Sequence, residues 1–266
     1  MKLIDERERE VDVPDNPVRI ISLSPAITEI LFSLGLGDRI IGVTPFCVRP
    51  DEARRKRKVA SYGYADINLF KEISPDLILT VTGYQNTVAD TLSTLFPTFS
   101  FRLPSSLGGL LDLVVKVGIV TNRVEEARVI ESDLIRAVTN LTRRPERSVY
   151  IEIDLGGPVT FGNLSYINDA LRFMNLKSIY DFKTSEWLIP DFDFVRRSNP
   201  DVIILEPKMF AKIKENYIGD LVSSRKWEDI NAVKNNSVHI TPGPYDFFAH
   251  HGPSFIREVL PWLQKI

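Results

Sequence analysis

Val18-Arg-Ile-Ile-Ser-Leu-Ser-Pro-Ala-Ile-Thr-Glu-Ile-Leu31 is the stretch that decides the fold of this chain. It begins as a short β-branched run and changes character at Ser24-Pro25, an N-cap residue followed by a first-turn proline, so a strand passes directly into a helix. Ile27, Ile30, Leu31 and Leu34 fall at helical spacing, and Gly35-Leu-Gly37 ends the helix before a second strand at Arg39-Ile-Ile-Gly-Val43. A strand, helix, strand opening of this kind predicts a parallel sheet covered on both faces.

The alternation continues outward. A helical stretch near Leu69–Ile73 leads to the strand Pro75–Leu79, a helix over Thr87–Leu95 and a strand at Thr98–Phe101. From Val124 to Arg143, apolar residues recur every three or four positions with charges between them, which predicts the longest helix of the chain. At 1.5 Å per residue, about twenty residues would span on the order of 30 Å, enough to run from one domain to another. Beyond it come a strand at Val149–Ile153, a helix over Ile167–Met174, strands at Val202–Leu205 and Ser237–Ile240, and a closing helix from Pro253 to Leu263.

Two segments recur in order. Ser74-Pro-Asp-Leu-Ile-Leu79 returns as Asn199-Pro-Asp-Val-Ile-Ile204, and Ile27-Thr-Glu-Ile-Leu31 with Leu34-Gly-Leu36 returns as Ile167-Asn-Asp-Ala-Leu171 with Met174-Asn-Leu176. One copy of each precedes the long helix and one follows it, which predicts two similar α/β lobes. The expected organisation is a first lobe over residues 1–122, a connecting helix over 123–144 and a second lobe over 145–266, with room for the last helix to pack back towards the first lobe.

Composition narrows the function. The 266 residues are 44% hydrophobic and 26% charged with a formal net charge of -2, a balance that gives little pull towards nucleic acid. The basic run Arg54–Lys58 follows two acids and reads as a solvated loop. Cys47 is the single cysteine, so intramolecular disulfides and multi-thiolate metal sites are excluded. No stretch approaches the roughly 18 apolar residues of a membrane span.

Arg19-Ile-Ile-Ser-Leu-Ser-Pro-Ala-Ile-Thr-Glu-Ile-Leu31, Leu34-Gly-Leu-Gly-Asp-Arg-Ile-Ile-Gly-Val43 and the Pro-Asp-Leu-Ile-Leu strand resemble the helical-backbone substrate-binding proteins of ABC importers for iron–siderophore, haem and cobalamin. The likeness runs over nearly the whole chain. It implies an α/β fold of two Rossmann-like lobes with mainly parallel sheets joined by one long backbone helix. It also implies a non-enzymatic role without a required cofactor, and a metal chelate or tetrapyrrole held between the lobes for an importer permease. A preformed cleft suits a large rigid ligand, since little has to be ordered on binding.

On this resemblance the ligand meets loops at the carboxyl ends of strands. Tyr62 and Tyr64 stand before the helix leading to Pro75; Trp187 stands thirteen residues before Pro200, as Tyr62 stands thirteen before Pro75. Aromatic rings there could grip a corrin, porphyrin or catecholate from two sides. Phe161 follows the first strand of the second lobe, and Tyr245, Asp246, Phe248, His250 and His251 lie in Thr241–Gly252. A neutral imidazole of His250 or His251 could ligate a bound iron, cobalt or bare metal. Val159 stands where relatives carry an aromatic and Ala249 where cobalamin binders carry a second acid, so cobalamin, haem and ferric chelates all remain open as ligands.

Relatives dock to the permease through one exposed acid per lobe. The corresponding positions, seven residues before each Pro-Asp pair, hold Asp193 and Asn68. The protein is expected to be a monomer without membrane insertion. The family implies an extracytoplasmic location, while the first ten residues lack the apolar core of a secretory signal, which leaves open a cytosolic binder or sensor of the same ligands. The rival reading is a metal-dependent chelatase or hydrolase built from His239, His250, His251, Asp246 and Glu206; it lacks a phosphate loop, a His-Glu-x-x-His motif and a nucleophile elbow.

Overall fold

In the computed structural model, which describes residues 1–61 and 63–266, the chain divides into two units. One contains Met1–Pro104, Leu110–Arg136 and His251–Pro253; the other contains Ser105–Gly109, Ala137–His250 and Ser254–Ile266.

The first unit opens with an antiparallel hairpin of β1 (Lys2–Ile4) and β2 (Glu10–Asp12). β3 (Ile20–Ser22) follows and is buried throughout. Ser24 then caps α1 (Pro25–Ser33), its hydroxyl accepting from Ile27 N–H, with proline in the first turn. Next come β4 (Ile40–Val43), α2 (Ile67–Ile73), β5 (Leu77–Val81), α3 (Asn86–Ser93) and β6 (Thr98–Phe101). The sheet is parallel in the order β4-β3-β5-β6. Ile21, Leu23, Phe70, Ile78 and Leu92 pack together on it.

α4 (Leu107–Val120) and α5 (Val124–Thr139) follow. The helix expected from Val124 to Arg143 therefore ends at Thr139, four residues early. Pro145 bars the helical conformation to Arg144, and Asn140 and Thr142 are weak helix formers. The sixteen residues of α5 rise about 24 Å rather than 30 Å. The chain passes from the first unit into the second within α5, between Arg136 and Ala137.

The second unit is built from β7 (Arg147–Asp154), β8 (Pro158–Phe161), α6 (Tyr166–Phe173), β9 (Leu176–Ser178), β10 (Trp187–Leu188), α7 (Phe192–Ser198), β11 (Val202–Glu206), α8 (Tyr217–Arg225), α9 (Asn231–Lys234) and β12 (Val238–Ile240). A π-helical stretch Phe255–Val259 then runs into α10 (Leu260–Leu263), so the expected closing helix is present with a π segment inside it. β9, β7, β11 and β12 are parallel neighbours, the same winding as β4-β3-β5-β6. β8 turns back antiparallel on β7, and β10 pairs antiparallel with β8. This arm extends the sheet beyond the strands expected from the sequence.

The sequence echoes correspond to repeated local structures. α2 and α7 each have seven residues, each is N-capped by an aspartate (Asp66, Asp191), and each ends in a left-handed residue, Ser74 (φ 45°) and Asn199 (φ 48°). The Pro-Asp carboxylates then reach the neighbouring strand. Asp76 accepts from Val18 and Arg19 N–H at 2.8 and 3.0 Å, and Asp201 accepts from the N–H and hydroxyl of Ser148 at 2.9 and 2.7 Å. Likewise Gly35 (φ 73°) and Asn175 (φ 58°) turn the chain after α1 and α6.

α4 and α5 meet at Gly118, where an added Cβ would lie 2.4 Å from Ala127 Cβ and 2.8 Å from the Arg123 carbonyl oxygen. Backbone cannot give way as a side-chain tip can. Gly118→Ala is expected to lower unfolding stability by about 1–3 kcal/mol, the usual cost of overpacking, as a reduced midpoint in urea with an unchanged m-value.

Candidate functional site

In the larger sheet of each unit the strand order reverses beside the strand that comes first in the chain, between β3 and β5 in one and between β7 and β11 in the other. Ligands of open α/β sheets bind at such switch points, outside the carboxyl ends of the strands.

In the first unit Gln85 ties these ends together. Its side-chain amide donates to Leu23 O, and its Oε1 accepts from Val81 N–H at 2.9 Å. Tyr84 beside it is exposed and follows Gly83, whose φ of 92° makes the turn. Sequence reading missed both residues; a Gly-Tyr-Gln triplet after a buried strand was the available signal. Tyr64 is 66% exposed, its carbonyl accepting from Ser61 N–H, while Tyr62 lies outside the described residues. Below these loops Thr28 donates to Ser22 Oγ and contacts Cys47 Sγ at 3.1 Å; burial pushes the Cys47 thiol pKa up.

In the second unit a pocket of about 590 Å³ opens at the carboxyl ends of β7 and β11. Its floor is an ion pair. Arg225 makes two bonds to the Glu152 carboxylate, 2.6 and 2.8 Å, and Tyr150 donates to the same carboxylate at 2.6 Å. The guanidinium lies 3.8 Å from the Phe192 ring centroid and 4.8 Å from that of Trp227. Asp154 makes one wall and accepts from Gly156 and Gly157 N–H in the β7–β8 turn. Pro207, Lys208 and residues 211–214 make another wall, and α8 closes the pocket through Tyr217, Asp220 and Leu221.

The Thr241–Gly252 loop is held by Glu206, at the end of β11. This buried carboxylate accepts from the N–H groups of Phe247 (3.1 Å), Phe248 (2.6 Å) and Ala249 (3.3 Å). Burial, against those three bonds and with the nearby charge of Asp246, raises its pKa to about 7.

The expected ligand residues separate into two groups. Trp187 is 42% exposed on β10, opposite the buried Phe161 of β8, and Tyr245 and Asp246 are half-buried. Phe248 does not present itself to a ligand. It is 0% exposed, with its ring against Phe255 and Trp262 and its carbonyl accepting from Tyr166, so it belongs to the core beneath the loop. His250 and His251 are buried, with 3% and 9% of their surface exposed. Among the described residues no three His, Cys, Asp or Glu side chains gather where a metal ion could be held. His239 lies on β12 with its ring near Trp262, and burial lowers its pKa. The set invoked for a metallohydrolase is therefore not assembled as a metal site.

Asn68 and Asp193 are the second residues of α2 and α7 and are both exposed. Asp193 is paired with Arg196 at 3.3 Å. Among the described residues no helix is long and apolar enough to cross a membrane.

Comparison with known proteins agrees with this architecture. Residues 20–245 match the periplasmic binding protein family, and the chain belongs to that family. It is 27% identical over 270 residues to an uncharacterized ABC transporter substrate-binding lipoprotein, YvrC, of Bacillus subtilis (strain 168), covering 96% of this chain and 82% of that one. Among solved structures it resembles a possible iron-binding periplasmic solute-binding protein of Staphylococcus epidermidis, with TM-score 0.76, 23% identity and 94% and 97% of the two chains covered. It also resembles the periplasmic vitamin B12 binding protein BtuF of Vibrio cholerae, with TM-score 0.72, 18% identity and 95% and 98% covered.

Two measurements check the anchoring of the second unit. Arg225→Met leaves Glu152 buried with one neutral donor and is expected to lose about 3–5 kcal/mol of unfolding free energy, partly restored by adding Glu152→Gln. For Glu206 the folded pKa lies above the ordinary 4.5. Its contribution is therefore full below about pH 4.5 and declines as pH rises through about 7, by at most about 3 kcal/mol. Urea unfolding at a series of pH values should show this decline in the native protein and its loss in Glu206→Gln.

Proposed function

We propose that this protein is the substrate-binding component of an ABC importer and that its ligand is a metal chelate or tetrapyrrole, of the iron–siderophore, haem or cobalamin type. What supports the reading is membership of the periplasmic binding protein family, together with a pocket of about 590 Å³ at the switch point of the second unit's sheet, the position and size expected of a small-molecule site. In the second unit the exposed ring of Trp187, on the β8–β10 arm, supplies flat apolar surface for a ligand with large π faces.

Docking to a permease would use the second positions of α2 and α7, with Asp193 offering charge and Asn68 a neutral amide. Charge at such a rim sets orientation and encounter rate more than affinity. Binding of this kind needs neither a catalytic group nor a resident cofactor.

Titration with haemin, cyanocobalamin and ferric chelates tests the reading. At least one should quench tryptophan fluorescence saturably. Trp227 is buried and Trp262 half-buried, so most of the quenching should disappear in Trp187→Phe. Absence of a saturable response to every probe would overturn the proposal.

A further inference from the structure

The pocket of the second unit holds more cationic than anionic groups, and its charges are unevenly satisfied. Four cations line it, Lys208, Lys212, Lys214 and Arg225, against three carboxylates, Glu152, Asp154 and Asp220. Each carboxylate already has donors: Glu152 has Arg225 and Tyr150, Asp154 has two turn N–H groups, and Asp220 has the Asn216 amide. Arg225 is in turn fully engaged by Glu152 and by the Phe192 and Trp227 rings. Among the described residues the three lysine ammonium groups form no ion pair.

Exposed lysines are usually just solvated and by themselves mean little. These three fall within seven residues of one loop, on the wall of a cavity at the sheet's switch point, and that loop is fastened. Phe210, midway between Lys208 and Lys212, has φ 64°, a left-handed conformation unusual for a bulky side chain. Its N–H donates to Pro244 O at 3.0 Å, and its ring stands edge-on to Tyr245 at 5.7 Å. The strained residue thus joins the lysine loop to the Thr241–Gly252 loop. Local strain held by specific contacts is a feature of ligand-binding segments.

We propose that Lys208, Lys212 and Lys214 form a specificity-determining anion site, and that the ligand is a metal chelate that keeps negative charge on carboxylate or phenolate oxygens after binding its metal. The inference rests on the binding-protein reading and narrows it: the loop favours anionic complexes over neutral ones. The lysines add long-range attraction and salt-sensitive contacts at the rim, while the Glu152–Arg225 floor contributes shape.

The test measures equilibrium binding of ferric citrate, a ferric tris-catecholate and neutral cyanocobalamin to the native protein and to a Lys208→Gln, Lys212→Gln, Lys214→Gln variant. A second variant with arginine at all three positions keeps the charge. The expected result is that at least one anionic complex binds the native protein, loses about tenfold or more in the glutamine variant, and recovers in the arginine variant, with a weaker salt dependence in the glutamine variant only. Ferric citrate and the tris-catecholate separate carboxylate from phenolate recognition. Unchanged anion affinity in the glutamine variant, or native binding of cyanocobalamin alone, overturns the anion site and leaves the binding-protein reading intact. No binding of these probes or of haemin overturns both. Because all three side chains are exposed, an unchanged thermal midpoint should accompany the substitutions and exclude misfolding as the cause.

Discussion

Each unit is organised around a carboxylate that holds the start of its central strand. Asp76 takes two backbone N–H groups just ahead of β3, and Asp201 takes the N–H and hydroxyl of Ser148 in β7. A parallel pair has no tight hairpin to set its register, so some other contact must do so. The two aspartates serve that purpose between β3 or β7 and the strand across the switch point, β5 or β11. Once those strands are aligned, their carboxyl ends are aligned as well, and the strand-end residues Glu152 and Glu206 and the loop carrying Tyr84 and Gln85 are brought to defined places. The Asp201 carboxyl is held below its ordinary pKa mainly by the Ser148 side chain, so it remains charged in all but strongly acid solution.

β11 has a carboxylate at both ends. Asp201 precedes it and secures β7, whereas Glu206 finishes it and secures the Thr241–Gly252 loop. The two environments differ. Asp201 is partly solvated and strongly bonded, so its charge is retained; Glu206 is wrapped in protein, so desolvation outweighs its three N–H donors. Sheet register is therefore insensitive to moderate acid, while the loop anchored by Glu206 sits near the middle of a titration.

Much of the fold could be read directly because its determinants are local. Ser24-Pro25 sets a helix start in sequence as in space, and the Ser74-Pro-Asp and Asn199-Pro-Asp echoes mark matching helix ends and strand clamps. The helix Leu107–Val120 was not legible: it contains three glycines and many β-branched residues, poor formers on propensity, and it depends on close packing at Gly118 against Ala127. The β8–β10 arm was hidden for a similar reason, since a two-residue strand has no periodicity. Of the site, aromatics such as Trp187 and Tyr64 were visible as residue types, but burial was not, and Phe248 and the two adjacent histidines proved to be enclosed. The lysine pocket could not be anticipated, because its floor joins Glu152 to Arg225 across 73 residues.

Cys47 has a practical consequence. Its thiol is buried among Ser22, Thr28 and Thr44 and its pKa is raised, so the nucleophilic thiolate is both scarce and inaccessible at neutral pH. A cysteine introduced on an exposed loop would be alkylated selectively without first removing the native one. The chain is thereby suited to carrying a single environment-sensitive dye, and could report ligand capture optically as a reagentless sensor.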